Sequence, residues 1–122
     1  MEKITIEFSG NIIEAQLNNT DTAKKILDAL PIEGILNRWG EEIYFSIPVD
    51  GSLEDSTEVL EAGEIAFWPP GNAFCIFFGP TPISTDEKPR AAGPVTVIGN
   101  IIHKKDIKIL KQAADGQTIN LK

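Results

Sequence analysis

The sequence has little of what metal and redox sites require, with one cysteine and one histidine in 122 residues. A lone cysteine cannot form an internal disulfide. Cys75 lies in an apolar run, so we expect a buried, reduced thiol, as in a reducing cytoplasm. Metal sites usually recruit several His, Cys or carboxylate ligands, whereas His103 stands alone before two lysines. We therefore expect a surface histidine, no metal and no cofactor.

Long apolar runs and excess positive charge are also missing. No segment approaches the ~20 apolar residues of a membrane helix, and polar residues alternate with apolar ones from Glu2 onward instead of forming a signal peptide. The net charge of -7 argues against nucleic acid, because that binding depends on neutralising phosphates with Lys and Arg. These features predict a cytoplasmic protein that binds neither membrane nor nucleic acid.

Alternating apolar and polar residues are abundant and predict a mainly β fold. The pattern indicates about eight strands in one domain spanning residues 1–122. A helix is predicted from the cap at Thr20 or Asp21 to Pro31, and a short second helix over residues 104–113. Because antiparallel sheets need their edges closed or covered, we expect a closed β-barrel with the first helix over one end; a flat sandwich is the alternative.

Two polar segments are predicted as loops, Asp50–Thr57 and the proline-rich Pro80–Pro94, which is the longest irregular segment. Glu41 and Glu42 begin a strand and should point to opposite faces, so they cannot act as a carboxylate pair. Aromatic residues could line a groove with charged residues at its rim, or they could fill the core. The candidates are Trp39, Tyr44, Trp68, Phe74 and Phe78, with Arg38, Glu42 and Arg90 at the rim.

The order of these elements resembles the cyclophilin fold. Thr22-Ala23, Ile26-Leu27 and Leu30-Pro31 occupy the place of the helix that follows the first hairpin of cyclophilins. "GNAFCIF" and "VTVIGNI" resemble two later strands, and "KKDIKILKQ" resembles the segment after them. Three further segments are similar to a group of small prokaryotic cyclophilin-like proteins, namely Arg38–Pro48, Gly63–Gly71 and Cys75–Pro82.

The resemblance implies a peptidyl-prolyl isomerase groove, but most of its residues are replaced here. Ala73 stands where cyclophilins carry the glutamine that binds the peptide, and Cys75 replaces a phenylalanine of the proline pocket. Phe74 matches the preceding phenylalanine, and Val95 takes the place of a histidine. Arg38 is the only candidate for the arginine that acts on the prolyl nitrogen. Isomerase activity is therefore not the preferred interpretation.

The preferred interpretation is a non-catalytic or catalytically degenerate binding protein that holds a small molecule or short peptide in the groove. Arg38 would supply a fixed charge, and aromatic side chains the apolar contact. The alternatives are a divergent prolyl isomerase and a homo-oligomeric interaction protein, so the chain is expected to be a monomer or a homodimer. The predicted groove residues are Arg38, Tyr44, Trp68, Phe74 and Arg90.

Overall fold

The computed structural model describes residues 2–122, which form ten β-strands and two α-helices. The strands are β1 (Glu2–Phe8), β2 (Asn11–Leu17), β3 (Ile32–Ile35), β4 (Asn37–Arg38), β5 (Glu42–Ser46), β6 (Thr57–Val59), β7 (Glu64–Trp68), β8 (Ala73–Phe77), β9 (Arg90–Ile101) and β10 (Thr118–Leu121). The helices are α1 (Asp21–Ala29) and α2 (Ile107–Leu110), with single 3-10 turns at Pro69–Gly71 and Lys104–Asp106. No helix in this part of the chain is long and apolar enough to cross a membrane.

The strands form one antiparallel sheet in the order β3-β10-β1-β2-β9-β7-β8-β5-β4, and β6 pairs with β9 beside this path. The expected closed barrel of about eight strands is wrong, because there are ten strands and the edge strands β3 and β4 do not pair with each other within residues 2–122. Those edges are nonetheless consecutive in the chain, separated only by the buried Leu36. The sheet therefore curls round without being closed by hydrogen bonds, and its continuous path also differs from a flat sandwich.

The N-terminal hairpin and first helix form where the sequence predicts them. Ser9 and Gly10 both have positive φ, as a two-residue hairpin turn requires, and they join β1 to β2 with Phe8 opposite Asn11. Helix α1 is capped by the Thr20 hydroxyl, which accepts a hydrogen bond from the Ala23 amide at 3.2 Å. The helix ends before Pro31, and it contributes Ala23 and Ile26 to the core.

The strands from β5 to β9 bury side chains on both faces. The inner face carries Phe45, Phe67 and Phe74, and belongs to the main core. The Phe45 and Phe74 ring centroids lie 5.3 Å apart. The outer face carries a second, smaller cluster that includes Leu60, Ala66, Ala73, Cys75, Phe77, Ala91 and Val95. The site described below belongs to this outer face.

The predicted loop from Pro80 to Pro94 is shorter in the structure, because β9 begins at Arg90 and Gly93 and Pro94 lie within it. Arg90 to Gly93 carry no β-branched residue, so propensity gave no sign of a strand. Pairing with β6 fixes this segment instead, with Val59 opposite Arg90. Strand β6 was itself missed at the end of the predicted polar loop. The second helix is confirmed as a 3-10 turn followed by α2.

Candidate functional site: an aromatic cavity on the outer face

A cavity of about 310 Å³ opens on the outer face of the sheet. This volume is at the lower end of the range typical of small-molecule sites. Its walls include four aromatic side chains, and both tryptophans of the chain are among them. The lining residues are Trp39, Glu42, Tyr44, Trp68, Cys75, Phe77, Ala91, Ala92 and Val95. Apart from Glu42, the lining carries no carboxylate and no basic group.

The β4–β5 hairpin brings Trp39 and Glu42 together. Gly40, with a φ of +61°, starts a two-residue turn, and the backbones of Trp39 and Glu42 bond to each other across it at 2.9 and 3.2 Å. Residues paired in this way point to the same face of a sheet. Glu41 lies in the turn and not, as expected, at the start of the strand; its carboxylate lies near Arg38 and Lys111, and the residue does not line the cavity.

The alternation of side chains along each strand determines which other residues of β5 and β8 line the cavity. Glu42 and Tyr44 are two apart on β5, and their partners on β8 are Phe77 and Cys75 respectively. All four therefore lie on the outer face, whereas the intervening Ile43 and Ile76 point inward to the main core. A register slip of one residue would exchange the two sets. Strand pairing thus builds the floor of the cavity.

Trp68 and the alanine-rich start of β9 form the opposite wall. A Cβ added at Gly71 would lie 3.1 Å from Trp68 Cζ3, and one at Gly93 would lie 3.5 Å from Trp68 Nε1. The indole therefore lies close to the backbone at both glycines. Ala91 and Ala92 have short side chains and leave volume in front of it. Small residues beside large aromatic ones explain why the space is not filled.

Glu42 dominates the electrostatics of the cavity. Its side chain is buried, with the residue only 6% exposed. Burial raises the pKa of Glu42 from 4.5 to about 7, because the charged carboxylate loses its hydration. The Cys75 thiol acts on this pKa in the opposite direction, but a thiol is a weak hydrogen-bond donor. A carboxyl group with a pKa near neutrality can change its charge in response to a bound molecule.

Cys75 is a buried, poorly ionised thiol, in agreement with the sequence-based prediction. The residue is 3% exposed, and its Sγ donates to the Ala73 carbonyl at 3.8 Å. Burial, together with the nearby Glu42 carboxylate, raises the pKa of the thiol well above its ordinary value. A thiol in that state is a weak nucleophile, so the cavity is not equipped for cysteine chemistry.

Two of the five predicted groove residues, Tyr44 and Trp68, line the cavity, and the structure brings them together across β5, β8 and β7. Phe74 does not line it, because it alternates with Cys75 on β8 and packs inward against Phe45. Arg90 begins β9, immediately before the lining residue Ala91, but is not itself part of the wall.

Arg38 is engaged elsewhere. Its guanidinium donates to the carbonyl oxygens of Gly40 at 2.8 Å, Lys111 at 2.7 Å and Ala113 at 2.9 Å. It also lies 5.1 Å from the Phe78 ring centroid and 3.6 Å from a Glu41 oxygen. These contacts join the β4–β5 hairpin to the segment after α2. The guanidinium charge that the sequence assigned to the groove is therefore used in these contacts. Phe78, the other aromatic candidate, lies beside this guanidinium and does not line the cavity.

Seven lining residues lie outside the five predicted groove residues. Trp39 and Glu42 were among the wider candidates, and the resemblance matched Cys75 and Val95 to groove positions, whereas Phe77, Ala91 and Ala92 were not singled out. Alternation along β8 pairs Phe77 with Cys75 on one face, which is a usable signal only once the register is known. His103 is exposed, and it bonds to Glu14 at 3.0 Å. Among residues 2–122, no group of three or more His, Cys, Asp or Glu side chains is arranged to hold a metal ion.

Fold and site together define a mainly β protein built on one curled antiparallel sheet, with an aromatic cavity on the outer face of that sheet. The sequence profile of the family described as Cyclophilin-like matches residues 2–122. The chain therefore belongs to the cyclophilin-like family, which confirms the resemblance carried by its motifs. No curated protein matches the sequence significantly.

The solved structures similar to this chain include two with informative descriptions. The hypothetical protein AF2241 of Archaeoglobus fulgidus is 40% identical with a TM-score of 0.80, over 98% of this chain and 92% of AF2241. McbB, solved in complex with tryptophan, is 14% identical with a TM-score of 0.73, over 98% of this chain and 44% of McbB. The chain thus spans less than half the length of McbB, and the likeness to McbB extends to the fold alone.

Proposed function

We propose that this protein binds a small molecule with an aromatic or apolar body in the outer-face cavity. The observation that carries the proposal is the wall of Trp39, Tyr44, Trp68 and Phe77 around about 310 Å³ of open space. In a protein interior, neighbouring apolar side chains normally fill a space of this kind. A space that stays open leaves its apolar wall in contact with water, which is unfavourable. A bound aromatic body would recover that burial. McbB, with tryptophan in its solved structure, offers a precedent within the same fold.

Prolyl isomerase activity receives less support. Arg38 is the only candidate for the arginine that this chemistry needs. Its guanidinium already donates to three backbone carbonyls. The position matched to the glutamine is Ala73, which is buried and has no polar side chain. Homo-oligomerisation stays a prediction; light scattering over a range of protein concentrations measures it directly. A binding role in the cavity is the function that the lining residues favour.

Binding is tested with 2-phenylethanol and 2-phenylethylamine, which share one aromatic body. Because both tryptophans line the cavity, either probe should change tryptophan fluorescence and saturate with concentration. Ala92 is exposed at the cavity wall, so Ala92→Phe should narrow the entrance without disturbing the core and weaken binding about tenfold.

The matched control is Ala114→Phe, at another exposed alanine outside the cavity, which should bind as the parent does. If neither probe saturates, or if the two phenylalanine variants bind alike, the cavity is not a binding site.

A further inference from the structure

Glu42 is the only glutamate of residues 2–122 that is buried, and its surroundings differ from those of the half-buried Glu41 and Glu7. Glu41 lies 3.6 Å from Arg38 and 3.9 Å from Lys111, and Glu7 pairs with Lys122 at 3.1 Å. Glu42 is more buried than either, yet it forms no ion pair with any Lys, Arg or His of residues 2–122. Arg90, one residue before the cavity wall, also leaves it unpaired.

An unpaired buried carboxylate is unfavourable, because the loss of hydration is not offset by a cation. Glu42 is the one carboxylate in a wall whose other side chains are aromatic, aliphatic or, at Cys75, a thiol. The carboxylate faces a space bounded by aromatic rings, whose faces also attract cations. The Glu42 carboxyl group, when ionised, and the aromatic rings of the wall thus both favour a cationic occupant.

We propose that the cavity selects a small organic cation, an amine carried on an aromatic or apolar body, with its ammonium group against Glu42. The body would lie among Trp39, Tyr44, Trp68 and Phe77. This inference rests on the proposed binding function and names the ligand class for the same site. It makes Glu42 the residue that discriminates between a charged ligand and a neutral one of equal shape.

Binding should couple to the charge of Glu42. Its raised pKa means that the free protein carries the neutral acid over much of the pH range below 7, and an ammonium group would favour the charged form. The other titratable groups that line the cavity are the Tyr44 phenol on β5 and the Cys75 thiol on β8; the lining residues of β7, β9 and the β4–β5 turn contribute none. Affinity for a cation should therefore rise with pH as Glu42 ionises.

The test compares 2-phenylethylamine with 2-phenylethanol, which have the same body and differ in charge. At about pH 8 the amine should bind about tenfold more tightly than the alcohol, and at about pH 5.5 the two should agree within about twofold. Glu42→Gln should abolish the preference that the parent shows at about pH 8 while still binding the alcohol. Glu33→Gln removes the same charge from an exposed, unpaired site outside the cavity, so it should keep the full preference.

Equal affinity for amine and alcohol at about pH 8, or a preference for the amine that survives Glu42→Gln, overturns this inference. Both outcomes leave the binding function intact, because the aromatic body still binds. If neither probe binds the parent protein, the proposed function fails with it. Thermal unfolding of Glu42→Gln, measured alongside, confirms that a lost preference comes from a folded variant.

Discussion

The two faces of the sheet at β5, β8 and β7 are built from the same strands and yet have opposite character. On the inner face, the Phe45 and Phe74 rings pack against each other within a filled core. On the outer face, alternate residues of those strands leave a cavity beside Glu42 and Trp68. The difference lies in what opposes each face: interdigitating large side chains on the inside, and the alanines of β9 on the outside. The packed inner face stabilises the fold. This stability allows the outer face to keep an open cavity and a buried carboxyl group.

The largest expected effect comes from removing one aromatic ring from each face. Phe45→Ala should lower the free energy of unfolding by about 3–5 kcal/mol, because it leaves a void in a filled core. Phe77→Ala, from an equally buried residue of the smaller outer-face cluster, should cost roughly half as much, because its void would lie beside the cavity and could open to solvent. Urea unfolding measures both variants. Equal losses would mean that the outer face is packed as tightly as the inner one.

The second test concerns the buried charge of the outer face. The folded-state pKa of Glu42 is about 7 against an ordinary 4.5, so between these pH values the folded protein binds more protons than the unfolded chain. The free energy of unfolding should therefore fall as pH rises from about 4.5 through about 7, by on the order of 3 kcal/mol from this group.

Glu42→Gln removes that dependence, so the variant should be more stable than the parent at about pH 8 and similar to it at about pH 4.5. Urea midpoints at the two pH values give the difference, and the exposed Glu33→Gln serves as the charge-matched control. A stability difference independent of pH would show that Glu42 is solvated and that the outer face does not bury its charge.

The smallest effect is expected from Arg38, which lies beside the cavity without lining it. Arg38→Lys should lower the free energy of unfolding by about 1–2 kcal/mol, because an ammonium group cannot reproduce three hydrogen bonds to backbone carbonyls. Affinity for 2-phenylethylamine should be unchanged. A tenfold loss of affinity in a normally stable variant would instead return Arg38 to the groove that the sequence predicted.

Sequence patterns predicted the local elements well and their assembly less well. Alternation located most strands, and the Thr20 cap and Pro31 bounded α1. The patterns did not predict the start of β9 or its pairing with β6. Arg90 to Gly93 have no strand propensity and depend on a distant partner.

The site was predicted in the same partial way. Tyr44 and Trp68 could be chosen as amphipathic aromatics on half-buried strands. Phe74 was chosen by its likeness to a family motif, but the alternation of β8 turns it inward and Cys75 outward. Arg38 was assigned as a free charge because a sequence does not show which carbonyls an arginine will reach. The long-range register, and not residue type, decides these positions.

The place of β10 in the sheet has a consequence for how the chain acquires its structure. This strand lies between β1 and β3, so residues near position 120 separate two strands that come from the first third of the sequence. During synthesis, β1 and β3 leave the ribosome before β10. Neither strand can form its hydrogen bonds to β10 until that last strand has been made. Such dominance of distant pairings slows folding and leaves strand edges exposed in the meantime. The nascent chain is therefore most vulnerable to aggregation before its tenth strand emerges.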